Sequence, residues 1–159
     1  MSFKNHALAA LAVVVAAVFG APHAAHAAGQ DFKNCTLEIG ANDAMQFDKK
    51  ELDVPADCTE VKVVLTHTGK LPASAMGHNW VLVKGADLTA VANAGMAAGL
   101  AANYLPAGDA RVIAATKIIG GGEKTEITFP ASKLSKGGDY KFFCSFPGHY
   151  VIMQGVLKY

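Results

Sequence analysis

The sequence predicts an all-β domain, an antiparallel sandwich of about seven or eight short strands with one helical insert. Segments rich in β-branched and aromatic residues alternate apolar and polar positions at period two, and Gly, Pro, Asn and Asp turn signals separate them. Only residues 87–102 break this pattern, with a run of Ala, Leu, Met and Gly.

The chain of 159 residues does not all belong to that domain. Lys4 precedes an apolar run from Ala7 to Phe19, and a looser segment ends in Ala25-His26-Ala27. This is the pattern of a secretory signal peptide cleaved after Ala27, because about 13 apolar residues are too few to span a bilayer. Residues 28–159 then form a single domain, long enough for its own core. Lys4 is the only charged residue in the leader, so the formal charge of +1 falls to zero on cleavage. A neutral chain gives no support for nucleic-acid binding, and no second apolar stretch is long enough to hold the cleaved protein in a membrane.

The first strand is Asn34 to Ile39, turned by Gly40-Ala41-Asn42-Asp43. Met45–Phe47 and Glu51–Val54 are shorter strand pieces, and Glu60–His67 is the clearest strand of the N-terminal half, ending at Thr68-Gly69-Lys70. Leu71 to Ala75 reads as an extended connector and Asn79–Val83 as a strand. In the insert, Asp87 is placed to cap a helix with apolar positions at Leu88, Val91, Met96 and Leu100, although Gly95 and Gly99 weaken a single unbroken helix. The β pattern resumes with Val112-Ile113 and Lys117–Ile119, and Gly120-Gly121-Gly122 suits a hairpin turn. Thr125–Phe129, Asp139–Cys144 and Gly155–Lys158 are the last strands.

All three cysteines lie beyond the leader, which in an oxidising compartment suggests one disulfide and one free thiol. Pairing Cys35 with Cys58 leaves Cys144 free beside a His and a Met; the competing pairings would consume Cys144. Cys144, His149 and Met153 surround a Pro-Gly turn, so one loop between two strands aims a thiolate, an imidazole and a thioether at one point. Cleavage removes three of the six histidines, and of the remaining His67, His78 and His149, His78 supplies a second imidazole from a different strand. Two imidazoles and a thiolate with a weak axial thioether form the ligand set of a blue-copper electron-transfer site. The Gly77 carbonyl is placed to approach from the opposite side, since glycine lets the chain come close. Each residue alone has a plainer role: a buried thiol, a strand or loop histidine, a core methionine. As a strand-end residue, His67 is expected to be solvated.

Gly77-His78-Asn79-Trp80 together with Phe143-Cys144-x-Phe146-Pro147-Gly148-His149-x-x-x-Met153 closely resembles the azurin family of blue-copper cupredoxins. The resemblance extends to Asp43-x-Met45-Gln46-Phe47, Tyr104-Leu105, Arg111–Ala114 and Gly122-Glu123-Lys124, and so to nearly all of the chain after the leader. It implies a single plastocyanin-like cupredoxin domain: an eight-stranded Greek-key sandwich or barrel with a helical flap and a Cys35–Cys58 disulfide. One copper per chain would be held by the Gly77 carbonyl, His78, Cys144, His149 and Met153. Asn79 would tie the two ligand segments together, and backbone N–H groups near Phe146 would bond the Cys144 sulfur. Electrons would pass through the protruding edge of His149, within an apolar patch for docking. That patch would comprise Met45, Leu71, Ala75, Met76 and Met96, with Phe146, Pro147, Gly148 and Val151 from the ligand loop. The partners implied are c-type cytochromes and periplasmic oxidoreductases such as nitrite reductase or amine dehydrogenase, met by a periplasmic monomer. The family also has a buried histidine at the position of His67 and a deeply buried indole at Trp80. Ala115 departs from the many members that carry a surface histidine there.

Two other readings use the same residues. A periplasmic copper-binding or delivery protein wants an exposed, Met-rich site, and five methionines, one of them the initiator, do not make one. A Cys–His enzyme with Cys144 as nucleophile leaves His78 and Met153 without roles. The leader makes its own prediction: intact mass of the exported protein should correspond to a chain beginning at Ala28, and a mass that includes residues 1–27 would refute cleavage.

Overall fold

Alternating burial along the strands builds two facing sheets in the computed structural model, which describes residues 34–159; the expected leader lies outside the described residues. Strands β1 (Thr36–Asn42), β2 (Gln46–Phe47), β4 (Glu60–His67) and β7 (Lys124–Pro130) form one sheet in the order β2-β1-β4-β7. Strands β3 (Glu51–Asp53), β5 (Val81–Lys84), β6 (Ala114–Ala115), β8 (Tyr140–Phe143) and β9 (Gln154–Lys158) form the other, in the order β3-β9-β8-β5-β6. The architecture is the expected all-β sandwich.

Its pairing is not purely antiparallel, as the turn signals had suggested. β1 runs parallel to β4, with Leu37 opposite Val63, and β3 runs parallel to β9. The reason is the crossing between β2 and β4: after β2 folds back on β1, the chain joins the second sheet as β3 and returns as β4 beside β1. Period-two alternation reports which face is buried, and it carries no information on strand direction.

The Cys35–Cys58 disulfide, with Cα atoms 5.7 Å apart, ties the entrance of β1 to the entrance of β4. Between the sheets Trp80, Leu65, Leu82 and Phe142 are fully buried. Trp80 stacks on Phe129 at 6.3 Å and on Phe142 at 6.0 Å, and Phe142 meets Phe47 edge-on at 5.6 Å. The Trp80 indole N–H has no hydrogen-bond partner among the described residues, although a buried indole usually finds one.

Several connections differ from expectation. Leu71 to Ala75 is not extended: Pro72 starts a single turn, α1 (Ala73–Met76), because its fixed φ of −67° suits a helix entrance and its carbonyl accepts the amides of Ala75 and Met76. In the insert a 3-10 turn at Gly85–Asp87 leads into α2 (Leu88–Met96), so Asp87 belongs to the turn and its side chain caps nothing. α2 packs Leu88, Val91 and Ala92 against Val81, Val83 and Phe143. It ends before Gly99, whose φ of 74° no right-handed helix accommodates, and a short 3-10 turn follows at Leu100–Ala102.

Val112-Ile113 and Lys117–Ile119 are not strands either. Ile113 and Thr116 donate their amides to Leu82 and Trp80, so the chain follows the sheet edge, but only Ala114–Ala115 make a regular ladder. Ile119 forms an isolated bridge with His78, so Gly120–Gly122 is not a hairpin turn. Those glycines instead pack on the end of β4: the Gly121 and Gly122 amides reach Leu71 O and His67 O, and a Cβ on Gly121 would lie 2.4 Å from Lys70 Cα.

The Phe142→Ala variant removes an aromatic ring from the centre of this core. It should lower unfolding free energy by about 3–5 kcal/mol, read from the denaturant midpoint at unchanged slope.

Candidate metal centre

β8 delivers Cys144 just past its last residue, and β9 begins just after Met153, so residues 144–153 close the hairpin between adjacent antiparallel strands. The Cys144 amide donates to Met153 O at 3.0 Å, and the amides of His149 and Met153 donate to Phe146 O and His149 O at 3.0 and 2.7 Å. Gly148, with φ of 79°, turns the chain into a 3-10 turn at His149–Val151. The loop is therefore fixed by its own backbone. His78 arrives from the other side, held by reciprocal backbone bonds to Ile119 just before β5 rather than from within a strand.

These two segments bring His78, Cys144 and His149 together as a buried donor cluster. The Cys144 sulfur lies 3.7 Å from His78 Nδ1, 3.6 Å from His149 Nδ1 and 3.8 Å from the Gly77 carbonyl oxygen. Two metal–ligand bonds of about 2.0 and 2.3 Å meeting at 120° span about 3.7 Å. Both sulfur–nitrogen edges thus have the length of a trigonal N–M–S unit, and the residues fit a single ion at their centre. The three donors alone admit zinc as well as copper.

The ring nitrogens are oriented for this. His78 Nε2 lies 2.8 Å from Asn42 O, which only accepts, so Nε2 carries the proton and Nδ1 turns its lone pair to the sulfur. Burial lowers the His78 pKa against that hydrogen bond, and burial followed by repulsion from His78 lowers that of His149 to about 4. Burial pushes the Cys144 thiol up to about 12, opposed by the backbone N–H groups of Asn79 and Phe146 that face the sulfur. Without a metal the cluster is a neutral thiol between neutral imidazoles.

Asn79 bridges the two segments: its Oδ1 accepts the Ser145 amide at 2.8 Å, and its Nδ2 donates to Ser145 Oγ at 2.8 Å. Met153 is fully buried in the core that also contains Cys144. Gly77 is required by packing, since a Cβ there would lie 2.4 Å from Ala73 O and 2.6 Å from Ile118 Cγ2.

His67 is not the solvated strand-end residue its position suggests. It is fully buried, stacks on His78 at 4.5 Å, receives the Gly69 amide at Nδ1 and approaches Met76 O at 2.9 Å through Nε2. An accepting Nδ1 leaves Nε2 to donate to Met76 O, with Asp43 Oδ1 3.8 Å from Nε2.

Of the apolar patch, Leu71, Met96 and Val151 are 43%, 44% and 63% exposed. Ala75, Pro147 and Gly148 are also exposed, whereas Met45, Met76 and Phe146 are half-buried. The His149 edge does not protrude: only 3% of the residue reaches solvent, with the Phe146 ring tilted against it at 4.5 Å. Ile152, at 50% exposure, is a further apolar surface residue of this loop that the sequence reading missed. Ser145 and Asn103 join the network beside the donors, and neither residue type marks itself in a sequence as part of a metal centre.

A model of the family described as "Copper binding proteins, plastocyanin/azurin family" matches residues 33–159. Azurin-1 of Alcaligenes xylosoxydans xylosoxydans is 57% identical over 124 residues, 78% of this chain and 96% of its own. The azurin of Bordetella pertussis is 56% identical over 124 residues, 78% of this chain and 83% of its own. Among solved structures, an azurin from the obligate methylotroph Methylomonas sp. strain J is similar at a TM-score of 0.76 and 48% identity, covering 78% of this chain and 96% of its own.

The depressed histidines give the metal-free protein a pH signature. Unfolded, His149 titrates near 6.5; folded, it titrates at about 4, so within this window only the unfolded state takes up the proton. Stability of the metal-free protein should fall as pH drops from about 6.5 to 4, with a shallower fall in His149→Gln, as measured by urea unfolding across that range.

Proposed function

The chain belongs to the plastocyanin/azurin family of copper-binding proteins, and on that premise we propose that His78, Cys144 and His149 would hold its copper, with Met153 and the Gly77 carbonyl as weaker ligands. The protein is a blue-copper electron carrier, not an enzyme, and it works with redox partners. The observation that carries the site assignment is the donor triangle, with its edges of 3.6 and 3.7 Å.

Bound copper supplies a one-electron couple between Cu(II) and Cu(I). The chain supplies the constancy around it. Asn42 O holds the His78 ring in the tautomer that offers Nδ1, and the β8–β9 hairpin holds Cys144 and His149 through its backbone bonds. Near-complete burial excludes water and leaves no open position for a substrate, so the ligands have little freedom to move when the charge changes. The amides of Asn79 and Phe146 stabilise negative charge on the sulfur and so tune the potential.

The exposed loop beside His149 is the proposed exit for the electron. Pro147, Gly148 and Val151 offer a small uncharged surface, suited to a weak, brief encounter with a c-type cytochrome or with an oxidoreductase such as nitrite reductase or amine dehydrogenase. The leader pattern and the Cys35–Cys58 disulfide support residues 28–159 as one monomeric domain working in the periplasm.

Copper-loaded protein should show the intense visible absorption of thiolate-to-Cu(II) charge transfer. Cys144→Ser should abolish it, while Met153→Leu should keep the colour and shift the midpoint potential. Colourless copper-loaded protein would refute the blue-copper site, and loss of copper from Met153→Leu would refute the weak-ligand role of Met153.

A further inference from the structure

The insert contributes a residue to the metal centre that none of the ligand motifs contains. Asn103 and Tyr104 are consecutive non-glycine residues in the left-handed region, with φ of 57° and 49°. Such conformations cost free energy and persist only where the surroundings enforce them. Here the amides of Asn103 and Tyr104 donate to Leu100 O and Gly99 O, closing the 3-10 turn, and the ligand segments take up the oxygens of Asn103. Asn103 O accepts Ser145 Oγ–H at 2.9 Å and Asn79 Nδ2–H at 3.2 Å, while Asn103 Oδ1 accepts the Ile118 amide at 2.9 Å.

Ser145 follows Cys144, Asn79 follows His78, and Ile118 precedes the residue that brackets His78. With the two Asn79–Ser145 bonds the network is closed: both protons of Asn79 Nδ2, the Ser145 hydroxyl and both lone pairs of Asn103 O are used. The Tyr104 ring then meets Phe146 edge-on at 5.3 Å, and the Phe146 ring lies tilted against His149. On the far side α2 makes room: a Cβ on Gly95 would lie 2.0 Å from Tyr104 O.

We propose that Asn103 is a positioning residue for the copper site, a clasp through which the helical insert fixes the spacing of the His78 and Cys144 segments and so sets copper retention and potential. This rests on the blue-copper reading of the site, but the clasp itself is a property of the chain and is testable without metal.

Asn103→Gly suits the left-handed backbone and removes only the side-chain acceptor. Asn103→Asp keeps that acceptor, and Gly95→Ala pushes on Tyr104 without touching any ligand. In the metal-free protein, hydrogen exchange of the Ile118 amide should quicken in Asn103→Gly and not in Asn103→Asp. In the copper protein, Asn103→Gly should displace the visible band and the midpoint potential and release copper about three- to tenfold faster, the loss of one hydrogen bond's net contribution, and Gly95→Ala should displace the band and the potential by crowding Tyr104. Asn103→Asp should restore wild-type behaviour. A folded Asn103→Gly protein with wild-type band, potential and copper release would overturn the proposal, as would unaltered Ile118 exchange. If the wild-type copper protein is colourless, the electron-carrier reading fails, and the exchange experiment still decides the clasp.

Discussion

A thiol held at 3.6 and 3.7 Å from two imidazole nitrogens, essentially out of contact with water, is the constraint that the rest of the molecule accommodates. Three polar groups have been desolvated and brought close without any strong bond between them, which is unfavourable until a metal arrives. The sandwich supplies the stiffness to hold them there. Two neighbouring strands pin each end of the Cys144–Met153 loop, the opposite sheet fixes His78 through Asn42 O, and the stacked His67 ring backs it. The ligand geometry is therefore set by the fold before binding, and a site that does not relax around its ion suits electron transfer.

How much of this is visible in the sequence depends on whether a residue's chemistry or its surroundings determine its role. Cys144, His78 and His149 are legible because few residue types ligate soft metals and, after the leader, few of them remain in the chain. Strand positions are legible where one face is buried, as in β4, whose Val61, Val63 and Leu65 point into the core. Direction is not, because the parallel pairing of β1 with β4 is decided by a crossing that leaves no local pattern.

For the same reason the strand-end position of His67 suggests a solvated residue, whereas the family likeness implies the buried one found here. A histidine at a strand end is ordinarily wet, and only the approach of Met76 O and the His78 ring, from a segment nine or more residues on, buries it. Asn103 is the extreme case. Its contribution joins a backbone carbonyl, which every residue has, to one side-chain amide oxygen on the Ile118 amide, both presented by a left-handed turn of the packed insert. Asn79 was found through family likeness, because an amide beside a ligand says nothing by itself about what it will bridge.

The donor triangle joins segments far apart along the chain: His78 and Cys144 are separated by 66 residues, whereas the disulfide spans 23. A bound ion therefore acts as a second cross-link that closes a longer loop. In a chain-entropy account, closing that loop restricts the unfolded ensemble by about 1 kcal/mol more than the Cys35–Cys58 bridge does. The same ion that carries the electron thus opposes global unfolding, and it does so reversibly, in proportion to the free metal concentration.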